Sequence, residues 1–293
     1  MPFTLSHPAA VVLLFKVLPC SRWGLSLSAL IVGSVVSDLP RYKLFTHFVH
    51  LPGGKHFAHT FSGIYLFCVP VGMLLLLAFH IVMKAPLMSL LPINHQERLA
   101  PIAVKFQVWP FRRFVLIIAS LILGALSHIV WDSLTHASRW PGQHLSVLHM
   151  PILQTAQGTF LVSNFLHLCS TLIGGALLTY WCLNWLRPGS PGPVRLLVTR
   201  QTKLLICMAV AALILGAIYS YWKTGVLFQL SWKQPFLRRT VVSGGAVASL
   251  EMLIFSFYWH WRASKNFLWR KPTPSPIHNL GEIGKEESRK PEF

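Results

Sequence analysis

Five long apolar segments constrain the fold of this chain more than any other feature. A helix needs about 20 mostly apolar residues to cross roughly 30 Å of hydrocarbon, and the five segments reach or approach that length. They lie at residues 61–83, 114–131, 168–186, 204–222 and 240–261. Two shorter apolar segments, 9–18 and 25–37, are expected to be re-entrant, tilted or packed under the bundle. The sequence therefore predicts an all-α polytopic membrane protein with about five full spans plus one or two short N-terminal membrane-embedded helices.

Composition excludes a soluble globular protein. Of the 293 residues, 53% are hydrophobic and only 12% are charged, whereas soluble domains carry about 25% charged residues. We expect one transmembrane helical domain over residues 1–262 and a polar, disordered tail over residues 263–293. The N-terminus lacks a basic leader, so a cleavable signal peptide is not expected. The five cysteines form no CxxC pair and indicate neither a disulfide framework nor a zinc ribbon.

The net charge of +18 indicates lipid headgroups rather than nucleic acid as the partner, because the basic residues sit beside the apolar segments. Protein partners are not indicated. Loop 84–113 contains five basic residues and loop 132–167 only one, while loop 187–203 and the C-terminal tail are basic again. Loop 223–239, with four basic residues, is an exception. The alternation predicts a cytoplasmic C-terminus, with loops 38–60, 132–167 and 223–239 outside.

The chain contains only two aspartates, and the second lies in a histidine-rich pattern. His128 and Asp132 are four residues apart, so on a helix they share one face, about 6 Å apart along the axis. This spacing lets one helix offer a nitrogen and an oxygen ligand to one cation. His136 is eight residues from His128, or roughly 12 Å along a continuous helix. It reaches the same ion only if the helix ends or bends, and otherwise it serves a second ion or the substrate.

An isolated His-x3-Asp pattern is more often an ion pair or a helix cap than a metal site, but the predicted topology favours the metal. If the spans alternate, the candidate ligands at segment ends all lie at one membrane face. His7 joins them if segments 9–18 and 25–37 form a hairpin that dips into the membrane. Ionisable groups at membrane depth are costly and usually pair or serve function. The predicted metal ligands are His7, Asp38, His59, His128, Asp132 and His167, with His136 nearby.

These residue types predict metal-dependent hydrolysis. A divalent cation, zinc being one candidate, lowers the pKa of its bound water to about 7, and Asp38 or Asp132 is predicted to act as the catalytic base. The expected substrate is a lipid-linked or membrane-proximal ester or phosphoester. The alternatives are a transporter or channel for a metal ion or small solute, and a non-catalytic membrane scaffold. A serine triad built on His167 and Ser170 is disfavoured, since sequence order alone does not define one.

Two further features concern the bundle interior. Glu251 lies within the last apolar segment and is expected to find a partner inside the bundle, although its role stays open. The pairs Gly174-Gly175 and Gly244-Gly245 are expected to permit close helix packing.

The residues above carry a resemblance to a known family. They are the opening MPFTLSHPAA, the segment 28–34 leading to Asp38, His59-Thr60, the run SHIVWDSLTH at 127–136, and His167 ahead of Ser170-Thr171 and Gly174. Over most of residues 1–260 the chain resembles the bacterial integral membrane protein family called domain of unknown function 4184. That family has no established activity.

The His-x3-Asp-x3-His pattern is similar to that of inner-membrane proteins described as metal-dependent hydrolases. The resemblance implies a bacterial inner (cytoplasmic) membrane location. The chain departs from the pattern at Ser37, where proline is usual, and at Leu168-Cys169, where a small residue and serine are expected.

Overall fold

Seven helices make up nearly all of the regular structure among the described residues. The computed structural model describes residues 6–41, 54–92, 95–96, 99, 106–136, 142–155, 158–186, 200–224 and 235–269, so the predicted tail from residue 270 onward lies outside the described residues. The helices are α1 His7–Val17, α2 Leu27–Val36, α3 Phe61–Ser89, α4 Phe111–Thr135, α5 Val162–Leu186, α6 Arg200–Thr224 and α7 Pro235–Trp269. Helices α3 to α7 each contain a stretch long and apolar enough to cross a membrane. The predicted all-α fold with five spans is confirmed.

The spanning helices are longer than the apolar segments that predicted them. Helix α4 continues to Thr135 rather than ending at Trp131, and α5 already begins at Val162. Helix α7 runs to Trp269, beyond the boundary predicted at residue 262. Apolarity marks the part of a helix that crosses hydrocarbon, whereas backbone hydrogen bonding continues through polar residues at both ends.

Helices α1 and α2 form a helical hairpin, the arrangement on which the placement of His7 beside the other ligands depended. They contact each other, and the turn between them contains Gly24 with a φ of +78°, a left-handed conformation that glycine adopts at little cost. The Ser26 side chain caps α2 by accepting a hydrogen bond from the Ala29 N–H. The Ser26 N–H in turn donates to Ser120 Oγ of α4, at 2.9 Å. The start of α2 is thus fixed to the middle of a spanning helix.

Two glycines let the backbones of α2 and α4 touch. A Cβ built on Gly33 of α2 would overlap the carbonyl oxygen of Leu121, and a Cβ on Gly124 of α4 would overlap the carbonyl oxygen of Leu30. Small residues at helix crossings allow this close approach in membrane proteins. Helix α3 packs against both α2 and α4, with Leu76 buried against Ala29 of α2 and Leu121 of α4. The backbone of α2 is therefore held at a defined position along α4.

Helix α3 contains two π-helical turns, Ile64–Cys68 and Ala78–Met83. The first precedes Pro70, whose ring cannot donate a backbone hydrogen bond; there the Val69 N–H donates to the Ile64 carbonyl five residues back. Cys68 at the end of this turn lies against Ser37, with Oγ and Sγ 3.4 Å apart, and its thiol donates to the Ala58 carbonyl. The turn therefore joins the segment after α2 to the segment before α3.

The connection between α4 and α5 contains the only strands among the described residues. Two short 3-10 helices, Gly142–His144 and Ser146–His149, precede an antiparallel hairpin of β1 Pro151–Thr155 and β2 Gly158–Leu161. The sequence did not predict this hairpin. Gly142 packs so closely on the end of α4 that an added Cβ would overlap the Ser133 carbonyl oxygen, which holds the connection over that end of the helix.

In each predicted glycine pair, one glycine contacts a neighbouring segment and the other does not. Gly174 lies against Ser6, and Gly244 lies against α6, where an added Cβ would be 3.1 Å from the Ala212 carbonyl oxygen. Gly175 and Gly245 would meet no described atom within 4 Å. One member of each pair therefore serves helix packing, as expected, and its neighbour does not.

Replacing Gly124 tests whether the contact between α2 and α4 sets stability. Gly124→Ala should lower the free energy of unfolding by about 1–3 kcal/mol, since overpacking forces the helices apart. Gly245→Ala is the matched control, because the added methyl meets no described atom within 4 Å and alanine is the better helix former by about 0.5–1 kcal/mol. Thermal unfolding of the purified protein in detergent measures both; equal midpoints would contradict the packing argument.

Candidate metal centre

Four side chains from separate parts of the chain meet at one end of the bundle. Asp38 follows the end of α2, and His59 is the last residue of a 3-10 helix, Gly54–His59, that leads into α3. His128 and Asp132 occupy the last two turns of α4. One ligand atom from each of the four lies within 4.8 Å of the others. The predicted convergence of these residues is thus present in the structure.

The carboxylate oxygens and imidazole nitrogens face one another across short distances. Asp38 Oδ1 lies 3.4 Å from His59 Nε2 and 3.5 Å from His128 Nε2. Asp132 Oδ2 lies 3.6 Å from His59 Nε2 and 3.7 Å from His128 Nε2. Two ligands that bind one zinc ion at about 2.1 Å each can be at most about 4.2 Å apart. All four distances satisfy that limit.

The hydrogen bond of His128 orients its ring for ligation. Its Nδ1 lies 2.7 Å from the backbone carbonyl oxygen of Ser34, and a carbonyl only accepts, so Nδ1 carries the proton. In the neutral imidazole Nε2 then carries the lone pair. This nitrogen is buried and has no hydrogen-bond partner among the described residues. A backbone carbonyl that fixes the tautomer is the usual support of a metal-binding histidine.

His7 joins the cluster from the first residue of α1. Its Nε2 lies 3.9 Å from Asp132 Oδ1, and its ring is 3.9 Å from the His128 ring, centroid to centroid. The His7 side chain is only 2% exposed, yet its Nε2 has no hydrogen-bond partner within the described part of the chain. Burial, with a smaller effect of His128, lowers the pKa of His7 to about 2. The ring is therefore neutral at pH 7, the form that binds metal.

His136 and His167 lie beside the four-residue group rather than within it. Helix α4 ends at Thr135, and the extended backbone of His136 turns its ring back so that Nδ1 is 3.8 Å from Asp132 Oδ1. The same nitrogen is 3.1 Å from the Asp132 carbonyl oxygen. His167, in the second turn of α5 rather than before it, contacts the His136 ring edge to face at 5.8 Å.

The deeply buried ionisable groups lie at one end of the bundle. Among the described residues, the histidines and acidic residues that are buried as whole residues are His7, Asp38, His128 and Asp132, and the His59 side chain is only 6% exposed. His80 binds Ser28 Oγ at 3.2 Å and stacks on Phe106, so it has a structural contact. A cluster confined to one end of the bundle differs from a transport path, which needs polar groups across the bilayer.

The described residues provide no hydrogen-bond partner for one oxygen of Glu251, the buried Oε2. His260, in the C-terminal part of α7, contacts the Val82 carbonyl oxygen near the end of α3 at 3.0 Å, away from the candidate metal centre, as the topology predicts.

Sequence reasoning missed the supports of the site. The Ser34 carbonyl that orients His128 and the contact between Ser37 and Cys68 beside Asp38 both depend on how separate helices are aligned. The only available signal was that Ser34 and Ser37 interrupt an apolar segment close to Asp38.

Comparison with known proteins identifies a family without naming an activity. A sequence model described as Domain of unknown function (DUF4184) matches residues 1–257. The match covers all seven candidate residues of the metal centre and ends within α7. No curated protein matches the chain, and no solved structure matches it.

Metal analysis tests the cluster directly. Purified wild-type protein should retain at least one divalent ion per chain after gel filtration. His128→Ala and Asp132→Ala should lose the ion, because each substitution removes one buried ligand and the remaining ligands are too few to hold it. His149→Ala, at an exposed histidine of the α4–α5 connection, is the control and should bind as wild type does. Equal metal content in all four proteins would refute the ligand assignment.

Proposed function

We propose that this chain, which belongs to the family described as Domain of unknown function (DUF4184), is a membrane-embedded metal-dependent hydrolase. The substrate class is a lipid-linked or membrane-proximal ester or phosphoester. The description of the family names no activity, so the proposal depends on the chemistry of the cluster.

One observation carries the proposal: two carboxylates and two imidazoles are buried within 4.8 Å of one another. Two carboxylates so close repel each other, and burial makes their charges more costly still. A divalent cation removes both penalties. The mixed set of nitrogen and oxygen ligands suits zinc or manganese.

The residues divide into ligands and a base. A bound divalent cation lowers the pKa of water toward about 7 and polarises the substrate oxygen. Both oxygens of Asp132 face histidines, which fits a ligand role. The contacts of Asp38 with His59 and His128 are made through Oδ1; we assign Asp38 as the base that accepts the proton of the attacking water.

The loop beside the cluster supports a lipid-linked substrate. Largely exposed apolar side chains extend from the second 3-10 helix into β1; they are Val147, Met150, Ile152 and Leu153. Gly142 anchors this loop to the end of α4 that carries Asp132. Exposed apolar groups next to a membrane face partition into the interface between headgroups and acyl chains. They would hold the loop where a lipid headgroup is presented.

The location follows from the charge pattern. We place the chain in a bacterial inner membrane with membrane lipids as its partners, the metal centre at the outer face and the C-terminus in the cytoplasm. The low basic content of loop 132–167 supports this orientation. A reporter enzyme fused after residue 293 that is active only in the cytoplasm tests it.

An activity screen tests the enzyme assignment. Purified protein, loaded with Zn²⁺ or Mn²⁺, is assayed against acyl esters, phosphomonoesters and phosphodiesters, each in lipid-linked and water-soluble form. We expect hydrolysis that disappears with chelator and in Asp132→Ala. Protein that holds metal but hydrolyses nothing in this panel would refute the assignment.

Asp38→Asn tests the role of the base. The amide keeps an oxygen for the metal but cannot accept a proton at neutral pH, so kcat should fall by about 10²- to 10⁴-fold. Metal content should change far less than in Asp132→Ala. Parallel loss of metal and activity in Asp38→Asn would show that Asp38 is a ligand and not the base.

Ile152→Asp tests the apolar loop. A charge at this exposed position should raise KM for the lipid-linked substrate by roughly tenfold, because one side chain leaving the interface costs about 1–3 kcal/mol. The rate on the water-soluble analogue should not change. Gln143→Glu, also exposed in this loop, is the control for added negative charge. An equal effect on both substrates would contradict the lipid-facing role.

A further inference from the structure

The two oxygens of Asp132 face two different groups of histidines. Oδ2 is directed at His59 and His128, at 3.6 and 3.7 Å. Oδ1 is directed at His7 and His136, at 3.9 and 3.8 Å. The distances to His59 Nε2, His128 Nε2 and His7 Nε2 are within the limit of about 4.2 Å for two ligands of one cation. The 3.8 Å contact of His136 is made by Nδ1 and places its ring on the Oδ1 side. The four-residue group that contains Asp38 uses only one of these two sides.

We propose that the centre holds two divalent cations bridged by the carboxylate of Asp132. The first lies among His59, His128 and Asp132 Oδ2, with Asp38 beside it as the base. The second lies among Asp132 Oδ1, His7 and His136, with His167 beside them. This inference rests on the proposed function and specifies its substrate: a phosphoester.

His7 provides independent evidence for a second cation. A histidine side chain that is 2% exposed, with an Nε2 that has no hydrogen-bond partner among the described residues, is costly to bury without a compensating interaction. His7 does not belong to the four-residue group, so an ion within that group leaves its Nε2 unsatisfied. An ion at Oδ1 satisfies it.

His136 is prepared for ligation in the same way as His128. The helix ends at Thr135, and the Asp132 carbonyl oxygen then lies 3.1 Å from His136 Nδ1. Because the carbonyl only accepts, Nδ1 donates and Nε2 carries the lone pair. His167, at 5.8 Å between ring centroids, adds another imidazole on this side.

Two adjacent cations favour a phosphoester over an acyl ester. Centres with ions about 3.5–4 Å apart stabilise both the attacking and the leaving oxygen of an in-line displacement at phosphorus. Two divalent cations with two carboxylates and neutral histidines also leave two positive charges uncompensated, which an anionic phosphoester balances. Water oxygen bonds to phosphorus, the P–O bond to the alcohol breaks, and the proton lost by water ends on the leaving alkoxide. No redox partner is needed.

The number of ions per chain tests the second site. The full chain is stripped with chelator, saturated with Mn²⁺, freed of excess ion and analysed by mass spectrometry of the metal. Wild type should hold two ions per chain, His136→Ala and His7→Ala one, and His149→Ala two. Electron paramagnetic resonance should show coupled Mn²⁺ ions in wild type and uncoupled ions in the two single-ion variants.

His136→Ala keeps the test valid if His7→Ala fails to fold, since His136 is 23% exposed at a helix end. The single ion that it retains shows that the first site is intact. One ion per chain in wild type, or two coupled ions in His136→Ala, would overturn the proposal.

The substrate assay separates this inference from the proposed function. His136→Ala should lower phosphoester hydrolysis by at least about tenfold, since one of two charge-stabilising ions is gone. One ion in wild type with hydrolysis intact would refute the second site and leave the enzyme assignment standing. Two ions without any hydrolysis would do the reverse.

Discussion

The close contact between α2 and α4 is the constraint on which the rest of the site depends. Gly33 and Gly124 let each backbone reach the other, so that a Cβ at either position would overlap a carbonyl oxygen of the opposite helix. One turn after Gly124, His128 reaches the Ser34 carbonyl, and two residues after the end of α2 Asp38 faces the same histidine. A wider crossing would separate the ligands and also release the proton-bearing nitrogen of His128 from its acceptor.

The same helix contact holds two buried carboxylates close together, and the cost of burying their charges determines what the site is suited to bind. Asp38 and Asp132 are fully buried and close enough to share one cation. Removing ionised carboxylates from water costs several kcal/mol each, even after relaxation, and their mutual repulsion adds to that cost. The facing imidazoles are weak compensation when neutral. A cation interacts favourably with both the carboxylates and the imidazoles. The rigid contact between α2 and α4 keeps these side chains from moving apart.

The spans and the location of the site could be predicted from sequence, since hydropathy gives the crossings and their alternation places Asp38, His59 and His128 at one face. The period of the helix likewise placed His128 with Asp132. The position of His136 could not be predicted, because nothing at Thr135 resembles a helix stop such as glycine or proline. His167 was predicted to precede a span, whereas α5 begins five residues earlier, at Val162. Helix ends depend on tertiary contacts that apolarity does not report.

Exposure differs between the two sides of the cluster. Asp38, His128 and Asp132 are fully buried and His59 is 6% exposed, whereas His136 is 23% exposed. The accessible side is therefore the one beyond Asp132 Oδ1, next to the loop anchored through Gly142. A headgroup held by that loop would meet His136 before it met Asp38. In the two-ion centre that we propose, Oδ2 of Asp132 would bind the enclosed ion and Oδ1 the ion on the accessible side, which would account for histidines beside both oxygens of one carboxylate.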